Sequence, residues 1–288
     1  MTPEIWFPNL GIQIQHLSKV AFNIGGLPVY WYGVITVSSI FLALAYVTAE
    51  AKRTGQNPDN YYDLLVYGIV GALIGARLYY VAFSWDDYRG NLLKIFALRE
   101  GGQALYGSLI GGIITVYIYT RVRKHNFLLF TDTIAPGFIL AQATGRLGNF
   151  INREAFGGFT EGLFAMRCLV STVPYIPYAV LDKIITVDGA SYIQVHPTFL
   201  YESVWNFAGF AFLVWFIRRE KSFNGQVTAM YFLYYGTGRF FIEGMRTDQL
   251  LIGSTCIAAS QLLSGLLIAA SVCALFYLGR RNRKGESV

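Results

Sequence analysis

Three arginines stand where arginine is least expected: Arg77, Arg146 and Arg239 each lie inside a long apolar stretch of the 288-residue sequence. A guanidinium near mid-bilayer costs a few kcal/mol even on the lenient insertion scale, so each requires a partner or a function. Each lies 12 or 13 residues from the start of its stretch. At a rise of about 1.5 Å per residue, that spacing puts all three at one depth, in the outer half of a membrane. One reading is local: each arginine snorkels or pairs with a carboxylate, Glu154, Glu202 and Glu243 being available. The other takes the three together. The planar guanidinium fork matches phosphate oxygens, and a lipid head group is the phosphate a membrane offers near this level. An anionic-lipid site is the leading expectation.

Neighbouring residues refine it. Arg239, Glu243 and Arg246 are spaced i, i+4 and i+7, along one helix face. In GRLGNFINRE (145–154), Arg146 and Asn149 share a face, while Gly145 and Gly148 remove bulk and let backbone or lipid approach. His196 precedes Pro197 at the outer mouth of an apolar stretch, where capping the helix start and proton transfer both remain open. His16 and His125 read as solvated surface residues. Cys168, Cys256 and Cys273 have neither metal-ligand nor disulfide spacing and are assigned no chemistry; the last two lie in an apolar stretch where a thiol reads as a small core hydrophobe. No metal site is expected.

The elements that must position these residues follow from composition. The chain is 54% hydrophobic and 14% charged, against roughly 25% charged in a soluble domain, and its mean hydropathy is +0.43. Such a chain cannot solvate a globular surface, so lipid must be part of its solvent. The net charge of +6 is spread over short clusters between apolar stretches, which argues against a nucleic-acid partner. Apolar stretches near the 20 or so residues that cross hydrocarbon run over 29–47, 64–83, 104–119, 134–150, 198–217, 227–242 and 256–278, with Pro136 in the first turn of the fourth. The expected fold is an all-α polytopic membrane protein of about seven transmembrane helices, with a small extracytoplasmic head and an N-terminal interfacial arm. Its segments are the arm 1–28, transmembrane helices one to four over 29–152, the head 153–196, helices five to seven over 197–279, and a cytoplasmic basic tail 280–288. Pro174, Pro177 and Gly189 punctuate short β-rich runs in the head. The N-terminus lacks the pattern of a cleaved signal and reads as an uncleaved arm. Twelve lysines and arginines fall in the connections on the C-terminal side against eight on the other, so Val288 is expected inside and the N-terminus outside. Gly71 with Gly75, and Gly107 with Gly111, have the small-xxx-small spacing of close helix packing.

The segments YWYG (30–33), GALIGARLYYV (71–81), GGQALYGSLIGG (101–112), GRLGNFINRE (145–154), HPTFLYE (196–202) and GTGRFFIEGMR (236–246) together resemble the prolipoprotein diacylglyceryl transferase family. The likeness spans nearly the whole chain, and GRLGNFIN is its most specific element. It implies an enzyme of the bacterial cytoplasmic membrane that moves the diacylglyceryl group of phosphatidylglycerol onto the lipobox cysteine thiol of a prolipoprotein signal peptide. A thioether forms, glycerol phosphate leaves, and no cofactor is implied. Carried over by motif, Arg146 and Arg239 match the family's essential arginines and Asn149 and Glu154 its fourth-span signature. Glu243 and Arg246 match its sixth-span motif, Tyr32 its first-span tyrosine and Arg77 the arginine of its second-span block, with Glu202 in HPTFLYE completing the expected lipid-binding set.

One departure bears on mechanism. Where the family often carries a histidine after paired glycines, this chain has Tyr106, and a phenol of ordinary acidity is a poor base at neutral pH. The thiol can instead be acidified by nearby guanidinium charge, leaving Tyr106 to orient phosphate and His196 as a candidate proton relay. A lipid or anion transporter using the same arginines is the rival reading. It predicts repeated halves, and the chain has no visible internal symmetry.

Overall fold

The computed structural model describes residues 2–97, 101–252 and 257–285. Cys256 and Val288 lie outside the described residues. Nine α-helices are described: α1 (Trp31–Arg53), α2 (Asp59–Phe83), α3 (Trp85–Tyr88), α4 (Leu105–Val122), α5 (Phe127–Asn152), α6 (Tyr178–Leu181), α7 (Thr198–Arg219), α8 (Gln226–Glu243) and α9 (Ala259–Arg283). Seven short strands accompany them: β1 (Ile5–Phe7), β2 (Ile12–Ile14), β3 (Val20–Ile24), β4 (Leu27–Tyr30), β5 (Met166–Leu169), β6 (Ile185–Val187) and β7 (Ala190–Val195). Of the helices, α1, α2, α4, α5, α7 and α9 are long and apolar enough to cross a membrane, so the protein is a multi-pass membrane protein of the expected helical class. The stretch expected as the sixth span folds as α8. It is not among those six, because Arg239 and Glu243 on it depress its hydropathy.

Basic residues close the last turns of α1, α4, α7 and α9, where cations complement the helix dipole. The last turns of α2, α5 and α8 carry none. Helix α5 starts a full seven residues before the expected 134, because the side chain of Asn126 accepts the Leu129 N–H at 3.0 Å and caps an earlier start. Pro136 is therefore interior to the helix rather than in its first turn.

Two compact units divide the chain, Leu44–Ile134 and the remainder, Met1–Ala43 with Ala135–Val288. In the smaller unit α2 and α4 pack through bare backbone. A Cβ at Gly75 would come within 2.3 Å of the Gly107 carbonyl oxygen, and one at Gly111 within 2.2 Å of the Gly71 carbonyl oxygen. The small-xxx-small pairs are thus the packing faces that the spacing suggested. Val47, Ala51, Tyr61, Leu64, Tyr119 and Phe130 form this unit's buried core.

The larger unit combines helices with a sheet of strand order β2-β1-β5-β7-β6, antiparallel at each pairing. The N-terminal arm joins this sheet, where β1 is an interior strand with Ile5 opposite Cys168. Ile5, Phe7, Met166, Cys168, Ile193, Val195 and Phe199 bury one face in a common core. Burial pushes the Cys168 thiol up to about 12, despite the opposing charge of Arg153, so it stays a neutral thiol in that core. The rest of the arm forms the β3–β4 hairpin, whose Gly25–Gly26 turn takes positive φ at both residues as a two-residue hairpin loop demands.

Candidate active site

The larger unit gathers its charges around one carboxylate. Glu202, on the first turns of α7 and 2% exposed, accepts from Arg146 Nη2 of α5 at 2.6 Å and from Arg239 Nη1 of α8 at 3.0 Å. Each carboxylate oxygen takes one guanidinium. Arg239 Nη2 also lies 2.5 Å from Glu243 Oε2 one turn further along α8, and Ser260 of α9 donates its hydroxyl to Glu243 Oε1 at 2.5 Å. Four helices thus meet at a chain of alternating charge. In a low-dielectric interior such pairing is what allows the arginines to remain charged.

Local sequence explains the close approach. Gly238 sits under the Trp205 ring, where a Cβ would come within 2.1 Å of the indole nitrogen, and this brings α8 against α7 one residue before Arg239. On α5 the ring of Tyr32 occupies the space a Cβ at Gly148 would fill, 2.7 Å away, while nothing lies within 4 Å of a Cβ at Gly145. Gly148 therefore seats the first-span tyrosine against α5, and Gly145 leaves open space beside Arg146.

The remaining expected residues are placed as follows. Asn149 and Asn152 donate to Glu154 Oε1 at 3.0 and 3.1 Å, and the Glu154 N–H returns to the Asn149 carbonyl, so the signature closes the C-terminus of α5. Arg246 lies beyond the end of α8 rather than on its face, and forms a two-pronged pair with Asp248 at 2.9 and 2.6 Å, with its Nε 3.9 Å from Glu243. Burial opposes ionisation of Asp248, and the Arg246 fork outweighs it, holding the carboxyl below its usual value. His196 bonds through its backbone to Gly157 and Gly158, and its Nδ1 lies 3.3 Å from the Tyr201 hydroxyl. Pro197 caps α7 with no side-chain bond, so the histidine ring does not cap the helix. Burial lowers its pKa, which keeps the imidazole neutral and able to accept a proton.

Two expected members lie in the smaller unit. Arg77, 5% exposed, directs all of its N–H groups at one loop: Nε to the Ile95 carbonyl at 2.7 Å, Nη1 to Gly101 and Gly102 at 2.7 and 2.9 Å, and Nη2 to Lys94 and Ala97 at 2.5 and 3.4 Å. With five donors engaged, this guanidinium has none left for a phosphate. It clamps the connection between α2 and α4. Tyr106, half-buried in the first turn of α4, makes no hydrogen bond to a described residue.

Sequence reasoning missed a second buried cation. Arg153, 3% exposed, pairs with Glu4 and donates to the Leu17 carbonyl at 2.8 Å, tying the N-terminal arm to the end of α5. Burial opposes ionisation of Glu4, but the Leu17 N–H, His16 and Arg153 prevail and hold its carboxyl below the ordinary value. Ser260 and Asp248 were missed too, since a lone serine or aspartate near a helix end gives no distinctive spacing.

The profile of the prolipoprotein diacylglyceryl transferase family matches residues 19–277. The chain belongs to that family. Among curated relatives, the phosphatidylglycerol--prolipoprotein diacylglyceryl transferase of Listeria innocua is 42% identical over 268 residues, covering 93% of this chain and 92% of the relative. The protein of the same name from Clostridioides difficile is 40% identical over 271 residues, 94% of this chain and 99% of the relative. That of Enterococcus faecalis is 42% identical over 273 residues, 94% of each. Membership of the prolipoprotein diacylglyceryl transferase family makes this chain a transferase, as the six sequence segments implied.

Proposed function

We propose that this protein transfers the diacylglyceryl group of phosphatidylglycerol to the lipobox cysteine of a prolipoprotein in the bacterial cytoplasmic membrane. The observation that carries the reading is the Arg146–Glu202–Arg239 cluster, in which two guanidinium groups share one buried carboxylate and leave donors unspent. Arg146 spends one N–H on Glu202, and its remaining donors can grip lipid phosphate beside the space at Gly145. The cysteine sulfur, having lost its proton, attacks the glycerol carbon that bears the phosphate ester. The carbon–sulfur bond forms as the carbon–oxygen bond breaks, and glycerol phosphate departs with the bond's electron pair. Arginines held in place before the reaction stabilise charge on the departing oxygen without reorganising. Asn149, Glu154, Tyr32, Glu243 and Arg246 shape and orient the same cradle. Purified full-length protein given phosphatidylglycerol and a lipobox peptide should yield the thioether-linked peptide; lipid movement without that product refutes the reading.

The proton is assigned to His196, whose half-buried ring is neutral and within reach of Tyr201, with Tyr106 donating a hydrogen bond. Tyr106→Phe should then lower kcat/KM by about 1 to 3 kcal/mol of transition-state stabilisation, as for a lost charge-assisted bond. Tyr106→His should be tolerated, and His196→Ala should cost more than Tyr106→Phe. The pH profile of kcat/KM for each variant, scaled to its membrane level, is the check. Complete loss in Tyr106→Phe with an unaffected His196→Ala reverses the assignment.

For topology, the alternation of basic last turns supports a cytoplasmic C-terminus and an outside N-terminus. A single cysteine placed at position 286, in a background lacking the native cysteines, should resist an impermeant thiol reagent on intact cells, and one at position 161 should react.

A further inference from the structure

Helix α7 buries one face along its length, and Glu202, Ser203, Asn206, Gly209 and Leu213 lie on it. Ser203 donates to the Ala143 carbonyl of α5 at 2.8 Å, and a Cβ at Gly209 would meet both Ile139 of α5 and Tyr234 of α8. Asn206 lies between those two positions on the same buried face of α7. It is 1% exposed, yet neither its amide oxygen nor its amide nitrogen has a hydrogen-bond partner among the described residues. A buried amide left unpaired on both sides is strongly unfavourable, and such groups in native proteins are met by protein or by ordered water. Apolar Leu or Ile would fill this position at no such cost.

Glu202 sits one turn away. A carboxylate offers about four lone-pair sites, and Arg146 and Arg239 take one on each oxygen, so acceptor capacity remains on both oxygens. Side chains spaced i and i+4 have Cβ atoms about 5 to 6 Å apart, a gap that two hydrogen bonds through one water can span. A buried water needs at least two polar partners in a polar site, and the Asn206 amide and the Glu202 carboxylate meet that need. The surroundings continue the polar character: Gln142, one turn along α5 from Arg146, accepts from the Tyr231 hydroxyl at 3.3 Å. Tyr235, one turn from Arg239 on α8, lies within the field of Glu202, Arg239 and Arg146.

We propose that an ordered water bridges Asn206 to Glu202, and that Asn206 is thereby a positioning residue for the carboxylate that holds both arginines. Arg146 and Arg239 each hold one oxygen of the carboxylate. The water supplies a further tether, so the carboxylate plane, and with it the two guanidinium groups, keeps one orientation when phosphate arrives. Asn206 itself touches no substrate.

The kinetic arm of the test rests on the transfer reaction proposed above; the density arm does not. Asn206→Leu, apolar and of similar volume, should lower kcat by about tenfold or more while KM for phosphatidylglycerol moves by less than about threefold, because orientation fails rather than binding. Asn206→Ser leaves room for a second water and should recover kcat to within about threefold of wild type. An experimental map of the wild-type protein that resolves other buried waters should show one within hydrogen-bond reach of both side chains. An Asn206→Leu enzyme within about twofold of wild type, or such a map with no density there, overturns the proposal. If wild-type protein makes no thioether product, the transfer reading falls, and the map alone decides the water.

Discussion

Lysine in place of Arg239 should leave the protein inserted at near its normal level and lower kcat/KM by about a hundredfold or more. The side chain is 15% exposed and points one nitrogen at Glu202 and the other at Glu243. An ammonium is a single point charge and cannot span two carboxylates while also presenting a fork to phosphate. Arg146→Lys should be comparably damaging by a different route. Arg146 is 24% exposed and, among the described residues, engaged only by Glu202, so the loss there should fall on its unspent donors and raise KM for the lipid as well as lower kcat. Transfer measured on the purified variants, with insertion checked by their membrane level, decides the matter; turnover near wild type in both lysine variants would rule out bidentate phosphate binding.

Removing the shared carboxylate should cost more than activity. Glu202→Ala leaves two guanidinium groups facing each other without their common counter-charge, and breaking a buried pair from one side typically costs about 3 to 5 kcal/mol. The variant is expected to accumulate poorly, to unfold at lower temperature in detergent and to transfer no lipid. Glu202→Gln separates the two effects. It keeps the volume but turns an N–H₂ toward one of the arginines, donor against donor, so the protein should accumulate better than Glu202→Ala while still losing about a hundredfold in kcat/KM. Thermal unfolding and transfer are read on the same preparations, and a Glu202→Ala protein as stable and active as wild type would remove Glu202 from the centre of the site.

The six long apolar helices among the described residues, and the arginines of α5 and α8, were readable because both signals are local: a run of apolar residues, and a charge inside one. Glu202 was readable as one of three possible partners, and the choice among them needed the packing of α7 against α5 and α8. The partners of Arg77 were not legible. Its position in an apolar stretch matches that of Arg146, but its partners are carbonyls of its own connecting loop, and backbone acceptors leave no mark in sequence. Arg246 fits a helical repeat only if α8 continues past Glu243, and it stops there. The sheet was half legible: β-rich runs marked the head, whereas nothing in the first residues announced that they pair with a strand that follows α5. Asn206 drew no notice, since an asparagine within a span acquires meaning only once its burial without a hydrogen-bond partner among the described residues is known.

That pairing of β1 with β5 joins Ile5 to Cys168, and Arg153 reaches back to Glu4. At a synthesis rate of about 5 to 20 residues per second, the first strand waits roughly 10 to 30 seconds for its neighbour to leave the ribosome. Throughout that interval α1, α2, α4 and α5 are being made and inserted while β1 and β2 have no sheet to join. Completion of the head therefore acts as a late latch on assembly: the beginning of the chain is secured only after its middle has been threaded, and the buried Glu4–Arg153 pair closes behind it.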